Sequence, residues 1–151
     1  PLTASATPHW LIIYNTAVAE LGSTASPSVI SPKSFTWTTS TLSANLQNFR
    51  FKYASPQHRF YLAREVVSYR CAGAGLDPAG TGQGKLWRDS SANLDGSSAS
   101  QALLVDGLSS CAFDYAVATN TRSGLVTLRL TLAEAGETIT LLQQVHVDNA
   151  P

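Results

Sequence analysis

The chain has 151 residues, which is enough for one domain with a real hydrophobic core. Ten basic residues balance ten acidic ones, and this neutral formal charge argues against a dedicated nucleic-acid binder, which would carry a basic stripe. Only 13% of the residues are charged, about half the usual share, and serine, threonine, alanine and glycine take their place. This composition is typical of secreted and cell-surface β proteins.

The sequence contains no methionine, so we expect it to be a processed or truncated product. No apolar run approaches the roughly 20 residues that a membrane-spanning helix needs, and no signal peptide is visible. We therefore expect any membrane anchor to lie in residues outside this chain.

The first half of the chain predicts short strands separated by loops. Residues 10–14 form an apolar run of bulky and β-branched side chains, which favours a buried strand. Residues 22–34 contain two prolines and several small polar residues, and they predict a loop. Aromatic and basic residues alternate along 49–53, which predicts a half-buried strand.

Polar and glycine-rich loops divide the middle of the chain. Residues 72–84 carry five glycines and a proline, and residues 89–100 are mostly serine, asparagine, aspartate and glycine. Both segments therefore predict loops or turns. Strands are predicted at residues 85–88 and 108–115, the second preceded by a turn at Asp106-Gly107.

The end of the chain gives the strongest pattern. Apolar residues alternate with threonine and arginine along 126–132, a second alternating segment follows, and the loop between them contains Gly136. This pattern predicts a β-hairpin. We expect the first strand to line the core with Val126, Leu128 and Leu130, and the second to place these residues on one face: Ile139, Leu141, Val145 and Val147. The fold class predicted for the whole chain is mainly β, with antiparallel strands in one or two sheets and a single domain over residues 1–151.

The two cysteines lie inside strand-like runs. Cys71 shares a strand face with the apolar residues two and four positions before it, and Cys111 with the aromatic residues two and four positions after it. Two inward-facing cysteines predict one disulfide, and a disulfide predicts an oxidising compartment. The alternative is a pair of buried free thiols in a cytosolic protein.

The spacing of reactive residues predicts no catalytic or metal-binding site. His9, His58 and His146 do not lie at metal-ligand spacing from one another or from a cysteine. No Gly-x-Ser-x-Gly motif is present, and the glycine-rich segment 80–84 lacks the lysine and helix of a phosphate-binding loop. We therefore predict a protein that is not an enzyme and that needs no cofactor.

Four residues are candidates for contact with a ligand: Trp37, Asp77, Asp89 and Asp95. Tryptophan can stack on sugar rings, and Trp37 is flanked by threonines rather than by core residues. The three aspartates lie in two polar loops, which lack the spaced acidic pattern of an EF-hand, so calcium is a weaker hypothesis.

Several segments in the second half of the chain resemble minor pilins and pseudopilins of type IV pilus and type II secretion systems. In order, these segments are GKLWR (84–88), ALLVDGL (102–108), CAFDY (111–115) and GLVTLRLTL (124–132). Three others resemble, more narrowly, minor pilins of the mannose-sensitive haemagglutinin (MSHA) pilus: SPQHRF (55–60), VSYRC (67–71) and LLQQVHVDNAP (141–151). Members of this family are most alike in an N-terminal cleavage motif followed by a long hydrophobic helix, and this chain contains neither.

The resemblance implies a pilin-like globular head and a non-catalytic minor pilin that helps pilus assembly and sits at the pilus tip. Its partners would be other minor pilins, the major pilin and the inner membrane, reached through an N-terminal helix that is not in this chain. The implied location is the periplasm or a cell-surface pilus, in agreement with the predicted disulfide. The alternative hypothesis is an adhesin or lectin-like module that recognises a surface glycan through Trp37 and the polar loops.

Overall fold

The computed structural model describes residues 3–117 and 124–147, and it is mainly β, with 54% of residues in strands. The described strands form two antiparallel sheets, so the predicted fold class is confirmed. A short 3₁₀ helix spans Val18–Gly22, and none of the helices in the described ranges is long and apolar enough to cross a membrane. The chain divides into two compact units, described separately below, and the prediction of a single domain stays a prediction.

Unit 1 covers residues 3–66 and 90–99 and contains a four-stranded sheet. Its strands are β1 (Ser5–Ile12), β2 (Phe35–Trp37), β3 (Leu42–Ser43) and β4 (Tyr61–Ala63). They lie in the order β3-β2-β1-β4, so the central strand β1 pairs with both β2 and β4. The apolar core of this unit consists of Trp10, Leu11, Val29, Ile30 and Phe35.

The segment predicted as a loop at 22–34 contains the most buried part of unit 1. Val29, Ile30 and Ser31 are each at most 2% exposed, although they belong to no strand. The Ser31 backbone N–H donates to the Leu11 carbonyl at 2.9 Å, and the Leu11 N–H donates to Ser31 Oγ at 2.9 Å. Ile13 N–H donates likewise to the Val29 carbonyl. Because these polar groups have partners, an irregular segment can be buried here.

The strand predicted at residues 49–53 is not formed. The backbone N–H and C=O groups of Ser28 bond to Arg50 and Lys52, which leaves one isolated bridge to Phe51 instead of a ladder. The rings of Phe49 and Phe51 pack edge to face at 5.0 Å rather than facing a common core. Alternation predicted a strand here, but a local pattern cannot show that no partner strand pairs with it in the described structure.

Unit 2 covers the described residues within 67–89 and 100–147 and contains a five-stranded sheet. Its strands, in spatial as well as chain order, are β5 (Val66–Ala72), β6 (Gly84–Ser91), β7 (Ser100–Ala116), β8 (Gly124–Glu134) and β9 (Glu137–Val147). Leu86, Leu108 and Leu130 form its buried cluster, one residue from each of the three central strands. Strand β9 is an edge strand of this sheet.

Strand β7 runs through the position where the sequence predicted a turn. Asp106 and Gly107 lie inside the strand, where Gly107 has a φ of 81° and the pairing with β8 shifts register between Leu108 and Ser110. One extra residue in a strand bends the strand locally without ending it. Residues 118–123, between β7 and β8, lie outside the described ranges.

The predicted hairpin is confirmed by the β8–β9 pairing, which is continuous from Glu134↔Glu137 to Gly124↔Val147. The turn contains two residues, Ala135 and Gly136, with φ values of 49° and 84°. Positive φ at both positions is the type I′ geometry, whose twist matches that of the strands. The predicted loop that contains Gly136 is therefore a two-residue turn.

The glycine-rich loop between β5 and β6 is packed against the sheet. Gly75 N–H donates to the Leu108 carbonyl, Gly82 N–H donates to the Ala133 carbonyl at 2.8 Å, and Gly136 N–H donates to the Gly80 carbonyl. A Cβ on Gly82 would lie 2.5 Å from the Gly107 carbonyl carbon and 2.8 Å from that of Leu108. The glycine there permits a close approach of two backbones, which is a structural role.

Candidate interaction surface

Cys71 and Cys111 form a disulfide that joins β5 to β7, as the strand faces predicted. Both cysteines are half-buried and pack against the cluster of Leu86, Leu108 and Leu130. The disulfide therefore lies on the apolar side of the sheet, which fixes the orientation of the neighbouring strand residues.

The register of β7, β8 and β9 places rows of apolar side chains on one face of the sheet. Paired residues in an antiparallel ladder lie on the same face. Counted from the C-terminal end of β7, the rows are Tyr115–Val126–Val145, Phe113–Leu128–Gln143 and Cys111–Leu130–Leu141, with Leu132–Ile139 beside Leu108. Gln143 is the polar member of these rows.

Much of this surface is not covered within the described structure. The exposed fractions are 44% for Phe113, 52% for Tyr115, 54% for Leu141, 52% for Val145 and 67% for Ile139. We call these five residues, together with Val126 and Leu128, the apolar face.

The expectation that Leu130 is a core residue is right, Leu128 packs against the cluster, and Val126 is half-buried. The apolar residues of the second strand, β9, share one face as predicted, but most of this face is exposed rather than buried.

The opposite side of the same three strands is mostly polar. It carries Thr127, Arg129 and Thr131 of β8, and on β9 it carries Thr138, Thr140, Gln144 and His146. Its large apolar members are Leu125 of β8 and Leu142 of β9. Large apolar side chains are therefore concentrated on one side of these three strands. A contiguous exposed apolar patch rimmed by polar residues marks an interaction site in most soluble proteins.

The dimensions of the apolar face suit one α-helix. Three adjacent strands span about 10 Å, which is close to the diameter of a helix with its side chains. From Ile139 to Val145 the strand advances about 20 Å, the length of roughly 13 helical residues. Taking 150–200 Å² for each side chain, the five exposed residues present roughly 500 Å², at the upper end of what monomeric proteins leave uncovered.

Trp37, the first of the four ligand candidates, lines a groove in unit 1. It lies at the end of β2, its indole Nε1 donates to the Thr3 carbonyl at 2.6 Å, and the His9 ring packs 4.5 Å from it. The groove has a volume of about 340 Å³ and is lined by Trp37, Thr38, Thr39, Ser40, Thr41, Leu42, Phe60 and Leu62. Phe60 is 48% exposed there, a contribution that sequence alternation did not predict.

The three aspartate candidates each have local partners. Asp77 Oδ1 accepts from the backbone N–H groups of Ala79 and Thr81 at 2.9 and 2.8 Å. Asp89 Oδ2 accepts from Arg70 Nε at 3.2 Å, while its Oδ1 is buried without a hydrogen-bond partner. The first two candidates therefore stabilise the loop and strand of unit 2 to which they belong.

Asp95 lies in unit 1 and forms a turn of its own. Its Oδ1 accepts from the Ser97 backbone N–H at 2.9 Å, and this hydrogen bond lowers the pKa of the carboxyl group below its usual value. It lines a polar groove with Lys33 and Asn93, separate from the groove that Trp37 lines. Within residues 3–117 and 124–147, no three His, Cys, Asp or Glu side chains are grouped as metal ligands.

The face of β7–β9, with its five exposed large apolar side chains, is thus a further candidate site, and sequence analysis missed it as a site. Comparisons with protein-family models, with curated proteins and with solved structures found no match for this chain.

Proposed function

We propose that this chain is the globular head of a non-catalytic minor pilin of the MSHA type, similar to MshO, which takes part in type IV pilus assembly at the pilus tip. The single observation that carries the proposal is the exposed apolar face on β7–β9. In the proposal this face packs against the long hydrophobic N-terminal helix of the full-length subunit, which also anchors it in the inner membrane before assembly. The order of the segments that resemble minor pilins supports the same assignment.

Burial of the apolar face by a helix would be strongly favourable. Covering roughly 500 Å² of apolar area contributes on the order of 10 kcal/mol before the entropy cost of ordering the helix. The disulfide joins β5 to β7 on the same side of the sheet, so it stiffens the surface that receives the helix. A disulfide also suits the periplasm and the cell surface, where the other minor pilins and the major pilin would be the partners.

The test is complementation of a deletion strain of the source bacterium with the full-length protein. Phe113→Glu adds a carboxylate to the apolar face, whereas Ala112→Glu adds one to the adjacent position on the opposite face, beside Arg129. We expect the wild-type protein and A112E to restore surface pili in electron micrographs and F113E to fail. Matching thermal unfolding of the two variant head domains controls for misfolding.

Normal pili in the deletion strain, or equal piliation by both variants, would contradict the proposal. A second candidate function, recognition of a surface glycan, is favoured by the groove that combines Trp37 and Phe60 with the hydroxyl groups of residues 38–41. Normal pili with lost adhesion to mannose-bearing cells would support that function and direct attention to this groove.

A further inference from the structure

Strand β9 presents a long unprotected edge. All residues from Glu137 to His146 are exposed, and in the described sheet the strand pairs with β8 on one side. Natural edge strands are protected by lysine, proline, bulges or short length. Over 11 residues β9 has no lysine or proline, and its pairing with β8 shows no register shift.

The hairpin geometry identifies which backbone groups face outward. In a two-residue hairpin the residues that flank the turn, Glu134 and Glu137, exchange both of their hydrogen bonds. Hydrogen-bonded pairs alternate with non-hydrogen-bonded pairs along an antiparallel ladder. The free N–H and C=O groups of β9 therefore belong to five residues, which are Thr138, Thr140, Leu142, Gln144 and His146.

These five positions are self-complementary. If a second β9 runs antiparallel with Leu142 opposite Leu142, then Thr140 pairs with Gln144 of the other copy and Thr138 pairs with His146. Every outward N–H and C=O then finds a partner, giving about ten hydrogen bonds between the chains. None of the five carries a permanent charge, so no like-charged pair opposes this register.

We infer that the β9 edge pairs with the β9 edge of a second copy of this chain, in the antiparallel register centred on Leu142. The pairing joins the two five-stranded sheets into one sheet. On the apolar side it brings Ile139 opposite Val145 of the other copy and Leu141 opposite Gln143. The inference does not depend on the pilin proposal, because it uses the strand edge rather than the apolar face.

The expected association is weak and reversible, since one strand pair buries less area than a standard protein interface. We expect a dimer dissociation constant in the range of about 10⁻⁵ to 10⁻³ M. Sedimentation velocity of the 151-residue chain across that range measures it directly. A wild-type chain that stays monomeric up to the highest concentration would overturn the inference.

A charge exchange at one cross-strand pair tests the register. The double variant T140K/Q144K places lysine opposite lysine at two symmetry-related pairs, whereas T140K/Q144E places lysine opposite glutamate at the same pairs. Within one chain the two positions face Thr131 and Thr127, so neither variant meets a charged partner across β8. A like-charged pair directly across two strands is destabilising, whereas an opposite-charged pair is stabilising. We therefore expect the dimer dissociation constants of the two variants to differ by at least about tenfold, with T140K/Q144E forming the tighter dimer.

Added salt should reduce the difference between the two variants, because exposed charges are screened. Circular dichroism of both variants establishes that the sheet is intact. If T140K/Q144K dimerises as well as T140K/Q144E at low salt, the edge does not pair in this register and the inference is wrong. Dimerisation that neither variant changes would place the contact elsewhere, for example on the apolar face, and would likewise overturn it.

Discussion

Removal of the disulfide is expected to be the largest single loss of stability in unit 2. Cys71 and Cys111 are separated by 40 positions. In the chain-entropy model, closing a loop of that length lowers the entropy of the unfolded chain and thereby stabilises the folded state by about 4 kcal/mol. For a chain of this size the loss corresponds to a fall in melting temperature of roughly 8–16 °C. The double variant C71S/C111S should show this fall relative to the oxidised wild type.

Thermal unfolding followed by circular dichroism, with and without reductant, separates the disulfide from packing. The reduced wild type keeps both sulfur atoms next to the Leu86, Leu108 and Leu130 cluster, so it is the matched control for the cross-link alone. We expect reductant to lower the melting temperature of the wild type and to leave the variant unchanged. Two titratable thiols in wild-type protein denatured without reductant, or a wild type that is insensitive to reductant, would refute the reasoning.

Two further predictions concern a close backbone contact and a surface carboxylate. Gly82→Ala should destabilise the protein by about 1–3 kcal/mol or prevent folding, because its Cβ would collide with backbone at Gly107, whereas Gly75→Ala, with open space around it, should stay within about 0.5 kcal/mol in chemical denaturation. Equal midpoints for the two variants would contradict this explanation. The Thr16 backbone N–H and Lys52 lower the pKa of Glu20 from 4.5 to about 2. The folded pKa is below the unfolded one, so this stabilisation is present above about pH 4.5 and is lost as the pH falls towards 2. The difference in melting temperature between wild type and Glu20→Gln should therefore close over that range, and a difference independent of pH would show that the carboxylate charge is not involved.

The sequence predicted the elements of unit 2 better than those of unit 1. Alternation along residues 126–132 and 139–147 predicted both strands, their shared face and the hairpin, since period two is a local property of the chain. The disulfide followed from the same argument applied to Cys71 and Cys111. In unit 1 the burial of residues 28–31 depends on hydrogen bonds with Leu11 and Ile13, which are distant in sequence, so no local pattern could reveal it.

The candidate site was harder to predict because alternation identifies a face but not what covers it. Ile139, Leu141 and Val145 alternate with polar residues in the same way as Leu128 and Leu130. They are nevertheless more exposed, because β9 lies at the edge of the sheet. The aspartates failed as a common site for a different reason. Asp77 and Asp95 are partners of nearby backbone N–H groups, a role that loop aspartates commonly have and that composition alone does not distinguish from ligand contact.

The face and the edge of the β7–β9 region are geometrically independent surfaces. Pairing of two β9 strands around Leu142 keeps residue pairs such as Ile139 and Val145 on the same side of the joined sheet, because paired residues in an antiparallel ladder share a face. The two apolar faces would then form one continuous surface over six strands, wide enough for two helices side by side. Edge pairing thus leaves room for a helix on each copy. A helix on the face likewise leaves the outward backbone groups of β9 free, so the pilus assay on Phe113 and the sedimentation assay on Thr140 and Gln144 test separate properties of the same sheet.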